Sequence, residues 1–409
     1  QVSGPPILPQ QSAYTSFTFF PCLNLVSGVR YSFILTRTQS GGAGYYVSQI
    51  SNQISYPETS FWQYVPVNGF WQESTNYEPA LRLEGPEAPP NKEPVIIVPG
   101  MLGSYLNRIS DGEEVWPNMG LMLIPGPDSY LNDLKLNENG NEIIDMDSPS
   151  IIESAANVTQ YGNLIQKFKD NGYQLGVDLF LFPYDWRLDA EVSSLGLNSV
   201  VNGAVNNSPT GKVNIIAHSM GGLLVKNYLM REGESRINKL VFAGTPHLGA
   251  PKAFNAINYG DDFDLRFLFL GLNKNKAKEI AQNMPGVYEL LPSREYLIKA
   301  GSYVKSNSQS LTYDQINQLM VSSPTLPDYR NSNLLNLADL FHQSHDNWLS
   351  QSAQVFNLLG CRAYDTIGSF VIENGSIDIN SVTGDGTVPL ASADNLSGLL
   401  PFWEAGFIH

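Results

Sequence analysis

The sequence is poor in charge. Of its 409 residues only 15% are Asp, Glu, Lys or Arg, against about a quarter in ordinary soluble domains. Basic residues are the scarcer kind: 24 Lys and Arg against 39 Asp and Glu give a net charge of -15. A chain this acidic lacks the basic patches that phosphate backbones demand, which excludes nucleic acid as a partner. Electrostatic docking on anionic lipid is excluded on the same ground. There are two cysteines, Cys22 and Cys361, in regions of different character, so the fold is expected to stand without disulfides. Neither C-x-x-C nor H-E-x-x-H occurs, so no metal site and no cofactor are expected. No run approaches the ~20 apolar residues of a membrane span, and no signal peptide is visible. The chain opens at Gln1 inside a β pattern and stops at His409, and so reads as a fragment or processed product. Asn, Gln, Ser, Thr and Tyr supply its polarity instead of charge, a composition expected of an extracellular or cell-surface bacterial protein.

Hydrophobic residues make up 42% of the chain, enough for a large core, and the length suggests two domains. Residues 1–83 carry short aromatic and β-branched runs between Gly and Asn turns, such as Tyr31-Ser32-Phe33-Ile34-Leu35 and Tyr45-Tyr46-Val47. They show no helical period and predict a small all-β, sandwich-like or jelly-roll module, N-terminally incomplete. Residues 84–94, EGPEAPPNKEP, form a proline-rich linker. From Val95 onward continuous apolar runs alternate with helical segments. Val95-Ile96-Ile97-Val98, Val213-Asn214-Ile215-Ile216-Ala217 and Leu240-Val241-Phe242-Ala243 are examples. Runs buried on both faces predict a doubly wound parallel sheet over 95–409. Residues 251–350 interrupt it as a helical cap insertion. There the cluster Phe263, Leu265, Phe267, Leu268, Phe269 and Leu270 either lines an acyl pocket or is ordinary cap core.

Val213 to Gly222 reads V-N-I-I-A-H-S-M-G-G. A strand ending at Ala217 and a helix starting near Gly221 leave Ser219 on the sharp turn between them, a nucleophile elbow of the form A-x-S-x-G. Small residues two before and two after the serine relieve crowding, and Ala217 and Gly221 meet that need. The turn lifts the Ser219 hydroxyl above the sheet and aims the Met220 N–H, at a helix N-terminus, at the same point. Upstream, Val98 to Ser104 reads V-P-G-M-L-G-S after the first strand, where hydrolases of this kind place a second oxyanion donor. That donor is assigned to the Met101 N–H, with its neighbour Leu102 as the alternative.

In α/β hydrolases the acid follows the serine and the histidine follows the acid. Of the five histidines, only His409 lies beyond the Gly-flanked Asp385 of T-G-D-G-T-V-P. The expected triad is therefore Ser219, Asp385 and His409. Asp365, Asp378 and Asp394 are the other acids considered. His218 is read as structural, His342 and His345 as solvated or packed in the cap. His247, in G-T-P-H-L-G, is read as a substrate-pocket candidate together with Leu102, Phe267 and Phe269.

These motifs, taken together, resemble the lecithin:cholesterol acyltransferase-like lipases in a bacterial form. P-G-M-L-G-S at 99–104 is similar to their oxyanion loop, and Pro183-Tyr184-Asp185-Trp186-Arg187 to their P-Y-D-W-R signature. A-H-S-M-G-G, G-T-P-H-L-G-A and G-D-G-T-V-P follow in the family's order, as does the cap motif Met284 to Pro292. The resemblance spans 95–409. It implies an α/β-hydrolase fold, acyl-ester chemistry on lipids by hydrolysis or acyl transfer, and a structural P-Y-D-W-R loop with Asp185 and Arg187 paired. Other readings remain open. In one, the β module, with Trp62 and Trp71, binds a glycan or protein partner and the hydrolase part is an inert scaffold. In another, the scaffold cleaves amides.

Overall fold

The computed structural model describes residues 92–122, 128–155, 158–260, 273–322, 331–373 and 376–396, with the side chains of 158 and 361–365 excepted. It also describes the backbone of five further strands, introduced below. The chain divides into two compact units, Gln1–Glu87 and Ala88–His409. In the first, β1 (Tyr31–Leu35), β2 (Tyr45–Ile50), β3 (Phe61–Val65) and β4 (Phe70–Glu73) form one antiparallel meander in chain order. Among the described residues this is a single sheet, and the second layer of a sandwich is not among them.

The second unit has the α/β-hydrolase fold. Its central sheet is built from β5 (Val95–Val98), β6 (Leu179–Leu181), β7 (Val213–His218), β8 (Ile237–Ala243), β9 (Val304–Ser306), β10 (Gln309–Ser310) and β11 (Gln354–Glu373). They lie in the order β6-β5-β7-β8-β11-β9-β10. Strands β5 to β8 pair in parallel, as does the start of β11. The antiparallel β12 (Ser376–Gly384) and the parallel β13 (Phe402–Ala405) also pair with β11. All four residues of β5 are buried, as its unbroken apolar run requires of a strand covered on both faces.

Helices surround this sheet, and the segment 251–350, expected to be helical, also carries β9 and β10, of which β9 pairs with β11. Helix α1 (Gly162–Asp170) ends where Gly172 adopts φ 77° and Tyr173 donates to the Phe168 carbonyl at 3.1 Å, a left-handed glycine stop. Then come α2 (Ala190–Ser194), α3 (Leu197–Val205) and α4 (Gly221–Glu232), the helix that begins just after Ser219. Between β8 and β11 lie α5 (Pro251–Tyr259), α6 (Lys274–Ala281), α7 (Pro285–Tyr288), α8 (Arg294–Ala300), α9 (Tyr313–Ser322) and α10 (Ser332–His345). Side chains accept from the first-turn N–H groups of α6, α8 and α10: Asn273, Ser293 and Asn331 respectively.

The loop after β6 ties these layers together. Arg187 is fully buried, donates to Asp185 through Nε at 2.9 Å and Nη2 at 2.5 Å, and reaches Glu142 at 2.7 Å. Its carbonyl accepts from Gly286 of the cap at 3.3 Å. The Asp185–Arg187 pairing expected from the motif is thus present, and the ion pair holds a loop instead of facing solvent.

Helix α4 is buried nearly all round, and Lys226 on it is fully buried. Its ammonium has one weak hydrogen bond, 3.4 Å to the His345 carbonyl, and lies 6.0 Å from the centroid of the Trp348 ring. His345 and Asp346 at the end of α10 and His247 after β8 surround it. Burial pushes its pKa down to about 7, partly opposed by the Asp346 charge. Between about 7 and the ordinary lysine value the unfolded chain binds the extra proton, so stability rises with pH across that window. Lys226→Met is expected to raise the urea midpoint at pH 7 and to flatten the rise toward pH 10. An unchanged pH slope would contradict this. Asp185→Ala, by contrast, weakens the pairing of a buried guanidinium and is expected to cost about 3 kcal/mol in the same titration.

Candidate active site

Ser219 sits between the last residue of β7 and the start of α4 with φ 52°. A left-handed backbone at a non-glycine residue costs about 1–2 kcal/mol. It is held by the Ser219 N–H to the Ala243 carbonyl at 2.9 Å and the Gly222 N–H to the Ser219 carbonyl at 2.9 Å. Gly221 and Gly222 are required by contact. A Cβ on the first would lie 2.3 Å from the Pro99 carbonyl oxygen, and one on the second 2.1 Å from Thr245 Oγ1.

The loop after β5 packs directly on this turn. A Cβ on Gly100 would meet Ser219 Cβ at 2.7 Å and Oγ at 3.2 Å. Residues 100–103 form a turn closed by the Gly103 N–H to the Gly100 carbonyl at 3.1 Å, with Leu102 at φ 61°. Side chains clamp its other polar groups. Tyr184 Oη donates to the Pro99 carbonyl at 3.0 Å, Tyr161 Oη accepts from the Gly100 N–H at 2.8 Å, and Trp116 Nε1 donates to the Leu102 carbonyl at 3.1 Å. Among the described residues the N–H groups of Met101, Leu102 and Met220 make no hydrogen bond.

Asp385 follows β12 and is 1% exposed. Its Oδ1 accepts from the N–H groups of Thr387 at 3.0 Å and Val388 at 2.7 Å, and the Gly386 N–H goes to Thr366 Oγ1 at 2.8 Å. Register places it at the same rim of the sheet as Ser219. His218 pairs with Ala243, Ala243 with Leu358, and Gly384 with Arg362 of the same strand. Of the other acids considered, Asp378 and Asp394 are exposed, while the Asp365 side chain lies outside the described residues. So do His409, Phe267 and Phe269. Strand β13 runs parallel to β11 toward the same rim, its last residue, Ala405, level with Cys361.

His247 is fully buried, its ring edge-on to Phe242 at 5.1 Å, and burial holds its pKa well below the usual histidine range. His342 and His345 are buried in the cap, His342 between Asp346 at 2.7 Å and the Glu289 carbonyl at 2.9 Å. His218 Nδ1 lies 2.7 Å from Tyr161 Oη.

An apolar cavity of about 30 Å³ opens beside the 100–103 loop. Met101, Leu102, Trp116, Trp186, Ile280 and Met284 are among its walls. Leu102 is thus in the lining and His247 is not. Sequence reasoning missed Trp116, Trp186 and Ile280 here, and Tyr161 beneath the loop. The P-Y-D-W-R resemblance was the one signal that pointed to Trp186. Among the described residues no cluster of His, Cys, Asp or Glu is arranged to hold a metal ion, and no helix is long and apolar enough to cross a membrane.

The model of the lecithin:cholesterol acyltransferase family matches residues 133–356 of this chain. Phospholipase A(1) LCAT3 of Arabidopsis thaliana is 27% identical over 239 residues, 50% of this chain and 53% of that protein. Lysosomal phospholipase A and acyltransferase of Bos taurus is 24% identical over 260 residues, 53% of this chain and 64% of that protein. The chain spans about half the length of the curated relatives it matches. Among solved structures, the Tle4–Tli4 complex superposes with a TM-score of 0.51 at 17% identity, covering 76% of this chain and 91% of that one. That likeness concerns the fold. With more than half its length matched by the family model, the chain belongs to the lecithin:cholesterol acyltransferase family.

Proposed function

We propose that this protein is a serine-dependent lipid ester hydrolase or O-acyltransferase working through an acyl-enzyme on Ser219. The observation that carries the reading is the strained Ser219 turn packed against the Gly100 loop, with unspent N–H groups on both sides. Ser219 Oγ attacks the ester carbonyl carbon while His409 takes its proton. The carbonyl π electrons move to oxygen, and that oxyanion is received by the N–H groups of Met220 and Met101. Collapse expels the alcohol, which regains the proton from His409. Water or a second alcohol then repeats the sequence on the acyl-enzyme and frees Ser219. Asp385, its Oδ1 fixed by two N–H groups, orients the imidazole and stabilises its charged form. The assignment of His409 rests on the order serine, acid, histidine. Support for a lipid substrate comes from family membership and from relatives named as phospholipases and acyltransferases.

Hydrolysis of p-nitrophenyl esters from acetate to palmitate tests this. Ser219→Ala is expected to lower kcat by about 10⁴-fold or more, and a variant that keeps its activity would sink the mechanism.

A further inference from the structure

We infer that Tyr161 is a positioning residue that sets the distance between the oxyanion loop and the nucleophile. The inference rests on the proposed roles of Ser219 and of the 99–104 loop. Strands β5 and β7 are registered by the sheet only as far as Val98 opposite Ala217. Beyond those residues each chain turns away, and the ladder no longer fixes how far Gly100 stands from Ser219. Tyr161, just before α1, fills that gap. It is 9% exposed, and its Oη lies 2.8 Å from the Gly100 nitrogen and 2.7 Å from His218 Nδ1. Its ring stands edge-on to the His218 imidazole at 5.7 Å, and a Cβ on Gly103 would touch it at 3.1 Å.

Gly100 can only donate, so Tyr161 Oη accepts from it. The phenol keeps one hydrogen and a second lone pair for His218 Nδ1, and the His218 tautomer sets which of the two donates. One oxygen thus joins the residue before Met101 to the residue before Ser219. The first carries the loop's proposed donor, the second the nucleophile. Neither Tyr161 nor His218 is assigned contact with substrate. Their effect is to place the Met101 N–H where the oxyanion forms, so it is realised in the transition state more than in the bound ester.

The test is Tyr161→Phe, which keeps the ring and removes the hydroxyl. Active sites are counted by titration with a fluorophosphonate, so both readouts concern folded enzyme. With a short p-nitrophenyl ester, kcat per active site is expected to fall roughly tenfold to a hundredfold, with KM within about twofold. An alkyl trifluoromethyl ketone adds to serine as a tetrahedral oxyanion. Its Ki is expected to rise by the same factor as kcat/KM falls. His218→Leu removes the other partner of the Tyr161 hydroxyl and is expected to give the same loss, with the double variant no worse than either single one. A Tyr161→Phe enzyme with unchanged kcat per site and unchanged Ki, whatever its thermal midpoint, overturns the inference while Ser219→Ala remains inactive. If Ser219→Ala keeps its activity, the underlying reading of the site fails first.

Discussion

Two backbone turns in this protein approach more closely than side chains on both would permit. The loop after β5 presents Gly100 to Ser219 at a separation where a single methyl group would overlap the serine Cβ. Much else near the rim of the sheet follows from that contact. Gly221 must leave room for the Pro99 carbonyl, and Ser219 must take a left-handed backbone to turn its hydroxyl out of the strand. Leu102 must take a left-handed backbone too, where type II turns usually place glycine. The sheet makes the contact available because β5 and β7 are neighbours, but their ladder stops short of it.

A strained, close contact persists only when the surroundings over-determine it. Here the supports are aromatic and come from distant parts of the chain. Tyr161, Tyr184 and Trp116 each take one polar group of the loop backbone, and Trp186 reaches the Ser104 carbonyl at 3.2 Å. Trp116 and Trp186 meet edge to face at 5.7 Å and form a wall of the apolar cavity. The buried Arg187 anchors the segment that carries Tyr184 and Trp186, joining the loop to the cap. The two tryptophans thus both brace the loop and wall the cavity beside it, and a low-dielectric surrounding strengthens any hydrogen bond made there.

What was legible in the sequence was local. A strand, a turn and a helix succeed one another within ten residues around Ser219, so spacing alone announces the elbow. The parallel sheet declared itself through apolar runs such as 95–98. Partnerships across long sequence separations were not legible. Tyr161 lies 61 residues from Gly100 and 57 from His218, and nothing in its own neighbourhood marks it among 20 tyrosines. The burial of Lys226 was not legible either, because one-dimensional patterning does not reveal that α10 covers that face of α4. The cluster around 263–270, which reads equally as an acyl pocket or as cap core, lies outside the described residues. The cavity the structure shows is walled by tryptophans from two distant places, the short strand Glu114–Trp116 and the loop after β6.

The claim on which the account turns is that Ser219 carries the acyl group. The most direct measurement is to label the folded protein with an alkyl fluorophosphonate, digest it and locate the adduct by mass spectrometry. The account predicts one adduct per chain, on the peptide containing His218-Ser219-Met220, and none after Ser219→Ala. An adduct on a different serine, or a folded enzyme that hydrolyses esters while remaining unlabelled, would contradict it.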